Sequence, residues 1–121
     1  MTKARKYRPE RLAALVQESL ARALATELKD PRVGFATITG VTVSADGSHA
    51  TIRVGVMGTD VEKERAMKGL LHARGFLRSH LARTLRIRSA PELHIVLDHG
   101  LEHATRIDAI LRELKHDEPI S

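Results

Sequence analysis

The sequence predicts an α+β fold, a small sheet covered by helices on one face. Three observations predict it. Apolar residues recur at three- and four-residue intervals near both ends and in the middle of the chain, which is the helical period. Between these runs lie short segments rich in Val, Ile and Thr, the residues that favour strands. The length of 121 residues, 42% of them hydrophobic, suits one domain, 1–121, with its own core. The order read along the chain is helix, strand, strand, interrupted helix, strand, short helix.

The first helix is predicted over residues 9–29. Pro9 is harmless at a helix start, where its missing N–H has no partner to lose. Leu12, Leu15, Val16, Leu20, Ala23, Leu24 and Leu28 form its apolar stripe. Asp30-Pro31 ends it, because the residue before proline is pushed out of helical geometry. A strand is expected from Val33 to Ser44. Val33 and Phe35 share one face by parity, as do Val41 and Val43, whereas Ile38 has the opposite parity. A bend or bulge is expected near Gly40. Asp46-Gly47 signals a hairpin turn. The next strand, His49 to Met57, puts Ala50, Ile52, Val54 and Val56 on one face and Thr51 and Arg53 on the other. Gly58-Thr59-Asp60 then offers a helix cap.

Helical periodicity resumes from Val61 to about Arg88, with Gly75 inside it. Glycine in a helix interior costs about 1 kcal/mol relative to alanine. At 100° per residue from Arg74, Ala66, Met67, Leu70, Leu71 and Ala73 centre near about 340°, but Phe76, Leu77, Leu81, Leu85 and Ile87 near about 290°. One straight helix cannot aim both stripes at one core, so a kink is expected at Ala73-Arg74-Gly75. Ser89-Ala90-Pro91 breaks the pattern. Leu93, Ile95 and Leu97 alternate as a third strand, and Ala104, Ile107, Ile110, Leu111 and Leu114 mark a closing helix before a short tail at about 115–121.

The formal net charge is +5, and its distribution is uneven. Arg65, Lys68, Arg74, Arg78, Arg83, Arg86 and Arg88 lie in a window without Asp or Glu. His72 and His80 lie there too. Lys3, Arg5, Lys6 and Arg8 make the first segment, 1–8, basic. Arg65, Lys68, His72, Ser79, Arg83 and Arg86 fall within about 120° to 180° on the wheel, so one cationic stripe runs past the break. Gly75 borders it, where the lack of a Cβ permits close backbone approach. A phosphate-rich partner fits this pattern. An adaptor whose basic face meets an acidic protein, or a general RNA-binding module, is the alternative reading.

Other chemistries find little support. The absence of cysteine excludes disulfides and thiolate zinc sites and fits a reducing cytoplasm. No apolar run approaches the roughly 20 residues of a membrane span, and the N-terminus does not read as a signal peptide. His99-x-x-x-His103 has ligand-like spacing, but it lacks the Glu of HExxH and follows Gly100, so no metal is expected there. Asp98 and Glu102 have neither a nucleophile nor a phosphate-binding loop beside them, and no enzyme activity, cofactor or small-molecule substrate is expected. With few aromatics, base stacking has little to work with. Tyr7 is a candidate that equally suits packing on the first helix.

Ala73-Arg74-Gly75 resembles the kink of the ribosome-binding factor A family. Further matches follow in order. Lys29-Asp30-Pro31-Arg32-Val33 is similar to the segment ending the family's first helix, and Val41-x-Val43-Ser44-x-Asp46-x-Ser48-x-Ala50 to its hairpin. Gly75-Phe76-Leu77-Arg78, Arg88-x-x-Pro91-Glu92-Leu93, Asp98 and Arg106-Ile107-Asp108 resemble later segments. The resemblance implies a KH-like fold of the second type, with Ala-x-Gly in place of Gly-x-x-Gly. It further implies a non-catalytic, cytoplasmic, monomeric factor that binds the 30S subunit. Such a factor assists late maturation of 16S rRNA, including the 5′ end of pre-16S rRNA, and is linked to growth in the cold. The expected RNA-binding residues are then Lys3, Arg5, Lys6, Arg8, Arg65, Lys68, Arg74, Gly75, Arg78, Arg83, Arg86 and Arg88.

Overall fold

A computed structural model describes residues 7–34 and 36–99. Phe35, the basic residues Lys3, Arg5 and Lys6, and the closing helix expected around Ala104 to Leu114 lie outside the described residues. The elements are α1 (Pro9–Thr26), a 3-10 turn (Pro31–Val33), β1 (Ala36–Val43), β2 (His49–Val56), α2 (Asp60–His72), α3 (Arg74–Leu85) and β3 (Glu92–Leu97). The fold is α+β, with the sheet order β1-β2-β3. β1 is antiparallel to β2, and β3 is parallel to it.

One apolar cluster joins sheet and helices. Ile38, Val43, Ala50, Ile52, Val54, Val56 and Leu93 meet Leu12, Val16 and Leu20 of α1, Leu70 of α2, and Leu77 and Leu81 of α3. Thr37, Thr39, Thr42, His49, His94 and Val96 are exposed on the opposite side, so among the described residues the helices cover one face. The parity conflict in β1 is resolved by a bulge. Ile38 pairs with Val54 and Gly40 with Arg53, leaving Thr39 as the extra residue. Val41 and Val43 then pair with Ile52 and Ala50, on the face that Ile38 also takes.

Three boundaries differ from the sequence-based expectation. First, α1 stops at Thr26 rather than residue 29. The Leu28 N–H reaches back to the Ala23 carbonyl, 2.9 Å away, and Leu28 packs against the core. Second, Val33 is not in a strand. The Asp30 carboxylate accepts from the Arg32 N–H (2.9 Å) and from its guanidinium (2.6 Å), closing a 3-10 turn that buries Val33. Third, the interrupted helix ends at Leu85 rather than at about Arg88. Its break falls at Ala73, within the expected Ala73-Arg74-Gly75. Ala73 has φ −85° and ψ 0°, ends α2 and begins α3. The two helices then go separate ways, α2 packing on the 3-10 turn and β3, α3 on α1.

Candidate nucleic-acid interface

The start of α2 is fixed by a capping box. The Thr59 hydroxyl accepts from the Glu62 N–H, and the Glu62 carboxylate accepts from that of Thr59. The two acids that stabilise this helix, Asp60 and Glu62, sit in its first turn, where the helix dipole favours negative charge. From Arg65 to Arg88 every exposed side chain is cationic or neutral. Arg65, Lys68, Arg74, Gly75, Arg78, Arg83, Arg86 and Arg88 are all exposed, as is Arg8 at the front of α1.

These cations are not equivalent. Lys68 lies 3.9 Å from Glu64 in an exposed pair one helical turn apart. Arg78 donates to the Ala90 carbonyl at 2.9 Å and so holds the loop that enters β3. Arg65, Arg74, Arg83, Arg86 and Arg88 have no acidic partner among the described residues. Arg86 closes α3 in the left-handed region, with φ 55° and ψ 42°. Its own N–H and that of Ile87 both reach the Ala82 carbonyl, which ends the helix three residues short of Arg88. A side chain in that conformation costs on the order of 1–2 kcal/mol, and glycine would fit it freely.

Gly75 lies in the first turn of α3, and a Cβ built on it meets nothing within 4 Å. Neither a positive φ nor internal crowding demands glycine there. Two hydrophobic residues assigned to the buried stripes are instead outside: Leu71 is 47% and Phe76 41% exposed. Each sits at the margin of its stripe, and divergence of the half-helices after Ala73 turns that margin to solvent. Phe76 shares a helical stripe with Ser79 and Arg83 and lies against His80, ring centroids 6.5 Å apart. Periodicity places it in the buried stripe because it cannot tell which margin of a stripe meets a neighbour. Tyr7 is engaged elsewhere, its hydroxyl donating to the Leu85 carbonyl at 3.2 Å. His80 is occupied too, 3.2 Å from Glu27, tying α3 to the end of α1.

Fold and surface together define a small α+β protein whose helices α2 and α3 expose unpaired cations among the described residues. No helix of the described residues is long and apolar enough to cross a membrane. The sequence profile of ribosome-binding factor A matches residues 8–111. The chain belongs to the ribosome-binding factor A family. It is 45% identical over 113 residues to ribosome-binding factor A of Chloroflexus aurantiacus, covering 93% of this chain and 89% of that one. The solution structure of a putative ribosome binding factor A from Thermotoga maritima is similar, with a TM-score of 0.67 and 32% identity over 84% of this chain and 96% of that one. Coordinates of the Thermus thermophilus factor, a homology-built structure fitted into a cryo-EM map of its 30S complex, match with a TM-score of 0.60. They are 30% identical and cover 71% of this chain and 90% of the other.

Proposed function

We propose that this chain binds the 30S ribosomal subunit and that the outer face of α2 and α3 meets rRNA there. The carrying observation is the set of exposed cations without an acidic partner among the described residues, Arg65, Arg74, Arg83, Arg86 and Arg88, in a chain whose structural neighbour was fitted into a 30S complex. Their guanidinium groups contact phosphates, which fixes position with little sequence preference. The Gly-x-x-Gly clamp of ordinary KH domains is absent from the helix junction, so capture of about four single-stranded nucleotides is not the mode. Phe76 adds one face on which a base can stack, and the open space at Gly75 admits close approach of the RNA backbone. Lys3, Arg5, Lys6 and Arg8 add four more cations to the sequence available to such a partner. On this reading the protein is a non-catalytic, monomeric, single-domain cytoplasmic factor. It attends late 16S rRNA maturation, including that of the 5′ end of pre-16S rRNA.

The test avoids Arg78, which also holds the Ala90 carbonyl, and Arg86, which sets a helix end. A variant with Arg74→Glu, Arg83→Glu and Arg88→Glu keeps its circular dichroism and melting profile and loses cosedimentation with 30S subunits. Retained cosedimentation would overturn the proposal.

A further inference from the structure

The face of the sheet turned away from the helices carries a cluster unconnected with the cationic helices. His49 opens β2 and pairs in register with Glu92, the first residue of β3. Side chains two residues apart on a strand share a face, so Glu92 and His94 both flank His49. The His49 Nδ1 lies 2.9 Å from the His94 Nε2 and 3.7 Å from the Glu92 Oε2. The three donor atoms all lie within 4.8 Å of one another, and all three residues are exposed.

We infer that His49, Glu92 and His94 form a site for a zinc-class divalent ion clipping β3 to β2. The donor set, two imidazole nitrogens and one carboxylate oxygen, suits zinc, with water in a fourth position. Donor atoms around tetrahedral zinc lie about 3.4 Å apart, given metal–nitrogen distances near 2.0–2.1 Å. Two of the separations, 2.9 and 3.7 Å, already straddle that spacing. The third, within 4.8 Å, closes by up to about 1.4 Å through rotation of exposed side chains. In the metal-free protein one imidazole N–H donates to the other ring. The ion replaces that shared proton. Imidazole donors favour zinc, copper and nickel over magnesium and calcium, which prefer all-oxygen sites.

The backbone beneath the ligands is held in advance. The Ser44 hydroxyl accepts from the His49 N–H (3.0 Å) and donates to Asp46 (2.7 Å). The Glu92 N–H donates to the Ser48 carbonyl at 2.8 Å. Both strand starts are therefore fixed relative to one another before any ion arrives, which lowers the ordering cost of binding.

Calorimetric titration of the full chain with zinc chloride, beside imidazole 15N spectra, tests the site. One equivalent of zinc shifts the ring nitrogens of both His49 and His94, and magnesium does not. Affinity falls at least ten-fold in His49→Ala and in His94→Ala, less in Glu92→Gln, and is unchanged in His99→Ala with His103→Ala. If zinc leaves the His49 and His94 rings unmoved in the wild-type protein, or binds His49→Ala and His94→Ala as tightly, the site does not exist. The spectra use the unsubstituted chain, so the result does not depend on a variant folding.

Discussion

Two glycines with the same local geometry do opposite things. Gly69 faces the 3-10 turn, where an added Cβ would stand 2.9 Å from Val33 Cγ1 and 3.3 Å from Arg32 Cβ. Val33 is buried and stiff at its branched Cβ, so it cannot yield cheaply. Overpacking of this kind costs about 1–3 kcal/mol, against the roughly 1 kcal/mol that alanine gains over glycine in a helix. Gly69→Ala is therefore expected to lower stability by about 1 kcal/mol in urea denaturation. At Gly75 nothing opposes a side chain. Gly75→Leu is expected to leave the melting temperature unchanged or raised while weakening 30S cosedimentation. A large fall in melting temperature would show that Gly75 serves only the fold. The sequence alone marks Gly75 as the conspicuous glycine and is silent about Gly69, because the crowding at Gly69 comes from a turn distant in the chain. Arg78 shows the same limit, reading as one cation among several until its bond to Ala90 is seen.

At the scale of elements, the turn at Asp30 decides where α1 yields to β1. The hydrogen bonds from the Arg32 side chain and backbone, ahead of the general attraction of its charge, hold the Asp30 carboxyl down at about 2, against an ordinary 3.8. A carboxylate whose folded pKa is depressed stabilises the fold above its unfolded value, and that contribution is lost as pH falls through the folded one. Stability should thus decline between about pH 4 and 2, and Asp30→Asn should flatten that part of a urea-midpoint profile. Asp46 shifts downward too, through bonds from the Ser48 hydroxyl and N–H and the Ser44 hydroxyl, so some decline remains in the variant. Period and parity were enough to place β2, β3 and the bulge in β1, since each has a buried face that alternates. They could not show that Val33 belongs to a turn, because β-branched residues near a strand read as strand whatever the local hydrogen bonds do. They do mark the helix break, since the two apolar stripes diverge across Ala73-Arg74-Gly75, and the backbone departs from helical ψ at the alanine.

Across the whole molecule, acids and cations are sorted by use. The acids Asp30, Asp46 and Glu62 close turns and cap helices, while most exposed cations of α3 are left over for a partner. If they meet phosphates, binding should be steeply salt-dependent, with each contact adding about 0.9 to the slope of log affinity against log salt. The triple charge reversal of Arg74, Arg83 and Arg88 should accordingly remove about 3 from that slope, where residual binding can be measured. That charge imbalance was plain from the sequence, while the His49–Glu92–His94 cluster was not, because it exists only through the parallel register of β2 and β3. The same register has a kinetic side. β1 and β2 meet across a tight turn, but β3 reaches β2 only once the chain from Met57 to Pro91 has closed as a loop, and long closures are entropically dear. The sheet therefore has an early half and a late half. In native-state hydrogen exchange the amides of β3 should open at lower free energy than those shared by β1 and β2. An ion bridging His49 and His94 would fasten the late strand and so act as a brake on unfolding rather than an aid to folding.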